Sequence, residues 1–198
     1  MEIDLTKLTP DVRKLNDMGE VLADPACKAK NFPDTDLYFM YRGVEQKNGL
    51  RYDITIIPAK TLGFEFVKTK GHYHLENWQE VYTVLKGTAI YLLQKKNLDG
   101  EIDDVYAVTA KENESIIIPP SYGHVTINPS ETEELKMANW ISPDCKVDYL
   151  SYEKFQGACY YYTQSGWIKN ENYKNAPKLR FEKPLKSLPE NLDFLKKN

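Results

Sequence analysis

The sequence predicts an all-β fold, a closed barrel or a sandwich, on three observations. Short runs rich in β-branched and aromatic residues follow one another from Leu37 onward. Clusters of glycine, proline or asparagine separate them. Tyrosine, which suits strands, is abundant at 14 copies in 198 residues. The runs are LYFMYRGVE, RYDITIIP, FEFVKT, QEVYTVL, TAIYLLQ and IDDVYAVT, continued by SIIIP, HVTIN and LKMANWI. The separators are QKNG, PAKTLG, KG and KNLDG. About nine short strands at this spacing fit a closed barrel or sandwich, and closure removes exposed edges.

The flanks read differently. Residues 1–36 are expected to form an arm packed on the barrel. Thr9 stands as a helix N-cap in TPDVRKL with Pro10 at the first helical position, so one short helix is expected, then irregular chain to Pro33. Residues 37–168 form the expected barrel, with DYLSYEKFQ (148–156) as one surface helix. Residues 169–198 are locally basic and punctuated by proline, which suggests a further strand pair and then a strap within the same single domain. Glu171, Glu182, Glu190 and Asp193 interrupt that positive charge and argue against a nucleic-acid tail.

Composition excludes several classes. The net charge of −3 offers no basic excess to displace counterions from nucleic acid. The three cysteines, Cys27, Cys145 and Cys159, form no C-x-x-C pair and are odd in number, so a reducing compartment is expected rather than a disulfide framework. MEIDLTKLTP lacks an apolar signal core, and no stretch approaches the roughly 20 apolar residues of a membrane span. The expected location is the cytoplasm, with neither membrane nor nucleic acid as partner.

Only three histidines are present, and their settings are specific. KGHYHLENWQEVYTVLKG (70–87) holds His72 and His74, and IIIPPSYGHVTIN holds His124. Residues two apart on a strand share a face, so His72 and His74 point together while Tyr73 points away. As plain core residues each ring would need its own hydrogen-bond partners. As metal ligands both are satisfied at once. After a turn in LENW the next strand carries Glu80, with Tyr82 and Val84 on the same side, and Pro119-Pro120 stiffens the approach to His124. Three imidazoles and a carboxylate make a four-ligand site with room for water or substrate. Glu76, two residues after His74, is the rival carboxylate; the strand-like EVYTVL favours Glu80.

These spacings resemble both motifs of the cupin family: His72-Tyr73-His74, five residues, Glu80, six residues and Gly87; then Pro119-Pro120, His124 and Asn128. Within the cupins, TKGHYH, QEVYTVLKG, YLLQ and IIIPPSYGHVTIN, with LNDM (15–18) and YFMYRGVE (38–45), resemble the cupin-type glucose-6-phosphate isomerases over about residues 13–160. The gap before Glu80 lies between the general cupin spacing and that of the isomerases. The resemblance implies a double-stranded β-helix, or jelly-roll barrel, with a short N-terminal arm and helix and a peripheral C-terminal segment.

It also implies a glycolytic and gluconeogenic enzyme, a homodimer, that interconverts glucose 6-phosphate and fructose 6-phosphate. One divalent transition metal, Fe, Mn, Ni or Zn, would be held by His72, His74, Glu80 and His124, and the mixed donors do not choose among these. Glu80 and Tyr82 would be catalytic. Thr69, Gly71 and Thr55 would contact the phosphate end, Tyr38 and Tyr82 the sugar chain, and Tyr149 the substrate. An enediol route and a hydride shift both remain open. NWISPDCKVDYLSY departs from the family's pattern: Ser142 and Lys146 or Val147 stand where it carries a tyrosine and a histidine, and Lys146 is a candidate replacement phosphate contact. A cupin dioxygenase and a non-catalytic sugar-phosphate-binding cupin are the alternative readings.

Overall fold

The computed structural model describes residues 3–28 and 35–196. In chain order the strands are β1 (Asp11–Lys14), β2 (Asp36–Lys47), β3 (Leu50–Ile57), β4 (Thr61–Leu62), β5 (Glu65–Phe66), β6 (His72–His74), β7 (Glu80–Lys86), β8 (Thr88–Lys96), β9 (Ile102–Lys111), β10 (Ser115–Ile118), β11 (Tyr122–Ile127), β12 (Leu135–Ile141) and β13 (Val147–Asp148). The helix α1 (Leu150–Lys154) follows, then β14 (Tyr160–Thr163), β15 (Gly166–Lys169) and β16 (Arg180–Glu182). No helix among the described residues is long and apolar enough to cross a membrane.

Two six-stranded sheets form the jelly-roll barrel, in the orders β1-β2-β3-β12-β7-β10 and β13-β6-β11-β8-β9-β16. The chain changes sheet between β7 and β8, and again at each step from β9 to β12. Gly87 makes the first corner at φ +81, where a Cβ would lie 2.8 Å from the Glu134 carbonyl oxygen. The turn from β2 to β3 uses Asn48 at φ 52 and Gly49 at φ 77, the two positive angles of a type I′ hairpin.

The second sheet is buried on both faces, so β8 shows no alternation. On the face of His124 lie Leu93, its register partner, and Tyr91. On the other face Gln94 is fully buried: its amide donates to the hydroxyls of Tyr73 (3.0 Å) and Tyr173 (3.2 Å), and its carbonyl accepts from Cys159 N–H (2.8 Å). Buried Tyr152 of α1 covers that face beside Tyr73, so the predicted surface helix keeps an inward side.

Two expectations change. The helix expected from Pro10 is instead β1, paired antiparallel with β2 in the register Arg13↔Tyr38. A short isolated helix is marginal, whereas the open edge of β2 offers a ready ladder. A 3-10 helix over Leu15–Val21 follows and buries Leu15, Met18 and Val21. The expected irregular stretch to Pro33 lies partly outside the described residues. The strand pair expected after residue 169 is the β14-β15 hairpin just before it, and β16 instead runs parallel to β9. Beyond β16, Leu185 bridges to Ser115, and Leu188, Leu192 and Leu195 pack against Leu50, Val81 and Trp140 as the strap.

Candidate active site

His72 and His124 are direct register partners on β6 and β11, so their rings stand side by side, with centroids 4.5 Å apart. His74, two residues along β6, brings its ring within 5.2 Å of His72 and 5.3 Å of His124. Glu80 opens β7 in the facing sheet and closes the cluster. One ligand atom from each of the four lies within 4.8 Å of all the others. Glu76 sits exposed in the turn over Leu75–Asn77, outside this cluster.

The donor atoms fit a cation. Glu80 Oε2 lies 3.4 Å from His74 Nε2 and 3.4 Å from His124 Nε2. His74 Nε2 and Glu80 Oε2 are buried with no hydrogen-bond partner, a costly state unless something else satisfies them. His74 Nδ1 lies 3.0 Å from the Trp78 carbonyl oxygen; a proton there leaves the Nε2 lone pair facing the cluster. Burial, and after it the neighbouring imidazoles, push His72 and His124 well below the ordinary histidine value, which keeps them neutral and able to ligate. Burial opposes charge on His74 too, but Glu80 and the Trp78 carbonyl outweigh it and raise its pKa. Asn139 Nδ2 donates to Glu80 Oε1 at 2.6 Å, which turns Oε2 toward the histidines.

A cavity of about 330 Å³ opens over the cluster. Tyr38, Thr55, Thr69, Lys70, Gly71, Tyr82 and Tyr149 line it together with His72, Glu80 and His124. Cavities of similar size lie under β16 and the strap, at about 350 and 360 Å³, and neither of these meets the histidines. The Tyr38 hydroxyl accepts from Lys70 N–H at 3.2 Å. Thr69 Oγ1 accepts from Thr126 N–H at 2.9 Å and keeps its own proton to donate. The Tyr82 hydroxyl lies 3.4 Å from His124 Nε2, and burial followed by the Glu80 charge holds the phenol well above its ordinary value. Tyr149 sets its ring edge-on to His72, centroids 5.6 Å apart.

Gly71 has a structural cause that the sequence does not show. At φ +82, a Cβ there would lie 2.6 Å from Val125 Cγ2 and 2.7 Å from the Tyr152 ring. The close approach that demands glycine comes from the barrel wall.

Sequence reasoning missed Arg42, Arg51, Asp53 and Asn139, which share the cavity wall. The signal was available: alternation carries Tyr38 to Arg42, Thr55 to Asp53 and Arg51, and each set shares a face. Arg51 grips Asp53 with Nε at 2.9 Å and Nη2 at 2.8 Å, while Arg42 Nε pairs with Asp11 at 3.0 Å. Cys145 and Val147 line the cavity, whereas Lys146 is exposed and outside its wall.

A jelly-roll barrel with three histidines and a glutamate converging in its cavity is a cupin with the donor set of a metal site. The glucose-6-phosphate isomerase family profile matches residues 12–178, and the chain belongs to that family. Relatives bearing that name include proteins from Thermococcus litoralis, 32% identical over 61% of this chain and 63% of that protein, and Thermococcus kodakarensis, 31% identical over 72% and 75%. The protein from Thermococcus gammatolerans is 29% identical over 59% of this chain, which spans about three fifths (61%) of that relative's length. A solved oxalate oxidase in complex with glycolate overlaps 57% of this chain and 55% of its own at 14% identity and a TM-score of 0.44, too slight a likeness to carry an argument.

Proposed function

We propose that this protein interconverts glucose 6-phosphate and fructose 6-phosphate as a metal-dependent aldose–ketose isomerase, with His72, His74, Glu80 and His124 holding one divalent transition metal. The observation that carries the reading is the convergence of four donor atoms within 4.8 Å, with buried His74 Nε2 and Glu80 Oε2 otherwise unpartnered, in a chain of this family. A divalent metal held there supplies Lewis-acid polarisation of the sugar oxygens beside the reacting carbons.

The chain's own groups do the rest. Thr55 and Thr69 offer hydroxyls at the phosphate end, and Tyr38 and Tyr149 flank the sugar chain. Tyr82 keeps its proton and donates toward the oxygens at C1 and C2, beside His124 Nε2. Glu80 has Oε1 engaged by Asn139 and Oε2 between two imidazoles. With Glu80 holding a metal, the cation would stabilise the carboxylate's charge, which favours a direct shift of hydrogen between C2 and C1 over its removal to Glu80. Isomerisation in D₂O tests this step: little deuterium at C1 of the fructose product is expected, and full incorporation would make Glu80 or another base the acceptor.

The activity itself is tested by a coupled assay of fructose 6-phosphate conversion on protein loaded in turn with Fe²⁺, Mn²⁺, Ni²⁺ or Zn²⁺. Turnover that a chelator abolishes and added metal restores is expected. Sugar-phosphate binding without turnover under every metal would overturn the catalytic reading. The protein is further proposed to be a homodimer; a monomer mass by light scattering at micromolar concentration would count against it.

A further inference from the structure

A phosphate dianion needs an uncommitted cation, and the charges around the cavity are mostly spoken for. Lys70 Nζ is paired with Glu153 at 2.7 Å. Arg42 and Arg51 are held by Asp11 and Asp53. Neither Lys146 nor Arg13 lines the cavity itself, but Arg13 meets two residues that do, Tyr38 and Tyr149. Arg13 differs. It stands opposite Tyr38 in the β1-β2 ladder, so both side chains project to the face that Tyr38 turns toward the cavity. Its guanidinium lies over the ring of Tyr149, Cζ 5.9 Å from the centroid, and the same tyrosine meets His72 edge-on. Its Nε is buried without a hydrogen-bond partner. Burial opposes its charge, but the Tyr38 phenol, to which it also hydrogen-bonds, then Tyr149 and last Asp17 outweigh burial and raise its pKa. The Arg13 fork and the Tyr38 hydroxyl therefore meet at the cavity wall, and that hydroxyl is tied to Lys70 N–H, one residue from Thr69. A planar fork that bonds two oxygens of one phosphate is the chemistry this arrangement lacks only a ligand to complete.

We propose that Arg13, contributed by the edge strand β1, binds the substrate's phosphate and gives the site its preference for phosphorylated over neutral sugars. The assignment rests on the isomerase reading for the identity of the substrate, and on the geometry for the residue. It makes β1 part of the active site. Loss of β1, or of its pairing with β2, removes the phosphate contact without touching the four metal-type ligands.

The test compares the full-length wild type with Arg13→Met and Arg13→Lys, all loaded with the same metal. For Arg13→Met, the KM for fructose 6-phosphate should rise about 10- to 100-fold, the range of a lost charge-assisted hydrogen bond, with kcat within a few-fold. The inhibition constant of inorganic phosphate should rise by a similar factor. Arg13→Lys should recover part of both, and metal content should stay at the wild-type level. An unchanged KM and unchanged phosphate inhibition in Arg13→Met, with the wild type active, would overturn the proposal and leave the isomerase reading standing. If the wild type shows no turnover, calorimetry with glucose 6-phosphate and with glucose separates the two ideas. Tighter binding of the phosphosugar by wild type, lost in Arg13→Met, supports the role of Arg13 although the isomerase reading has failed. Equal binding by both proteins, or none by the wild type, overturns it.

Discussion

Replacing Asn139 by alanine isolates the orientation of Glu80 from its presence. The Asn139 amide and Glu80 are both buried, at 5% and 3% exposure, and their hydrogen bond is short at 2.6 Å. Removing the amide strips Oε1 of that hydrogen bond, beside an Oε2 that already has none. Two consequences follow. The metal-free protein loses about 1–3 kcal/mol of stability, the cost of leaving a buried acceptor unmet. The carboxylate also loses the restraint that aims Oε2 at His74 and His124, and such supporting contacts are worth about 10- to 100-fold in metal affinity. That corresponds to roughly 1.4–2.7 kcal/mol. Both quantities are measurable: urea unfolding of the metal-free protein, and Zn²⁺ affinity by competition against a chelator of known strength. Loss of stability with unchanged Zn²⁺ affinity would show that Asn139 only fills space, and the argument from Glu80 orientation would fail.

Other outcomes follow from the same structure. His74→Ala should lose metal content and turnover together, while Glu76→Ala keeps both; the reverse pattern would shift the carboxylate assignment to Glu76. Gly71→Ala should destabilise by about 1–3 kcal/mol or more, since a methyl at φ +82 collides with Val125 and Tyr152; a melting temperature within a degree of wild type would refute the packing argument. Burial raises the phenols of Tyr73, Tyr91 and Tyr152, and that of Tyr106 to about 12, so the folded chain holds protons that the unfolded chain releases near pH 10. Their contribution is complete below pH 10 and is lost as pH rises toward the folded values, so the melting temperature should fall steeply above about pH 10. A native absorbance titration in which every tyrosine ionises near pH 10 would contradict this.

What the sequence determined by itself was whatever rests on local pattern. Period-two alternation and turn chemistry placed most of the strands from Leu37 to Ile141 and the break at QKNG, though not Thr61–Leu62 inside the expected separator PAKTLG, because strand sidedness and turn angles depend on neighbouring residues. The same rule paired His72 with His74 and aligned Glu80 with Tyr82. Tertiary structure decided what depends on partners distant in the chain. The free edge of β2 drew Asp11–Lys14 into a strand although Thr9 and Pro10 spell a helix start, because ladder bonds and packing outweigh a cap worth about 1 kcal/mol. Packing of α1 against the second sheet, with Tyr152 and Val125 pressed on one backbone position, decided why residue 71 is glycine. The place of Asn139 beside Asp53 in the cavity wall needed the register of β3 with β12, and the place of Arg13 beside Tyr38 needed that of β1 with β2. Register is set by which face finds the core, and that choice is made only when the two sheets close on each other.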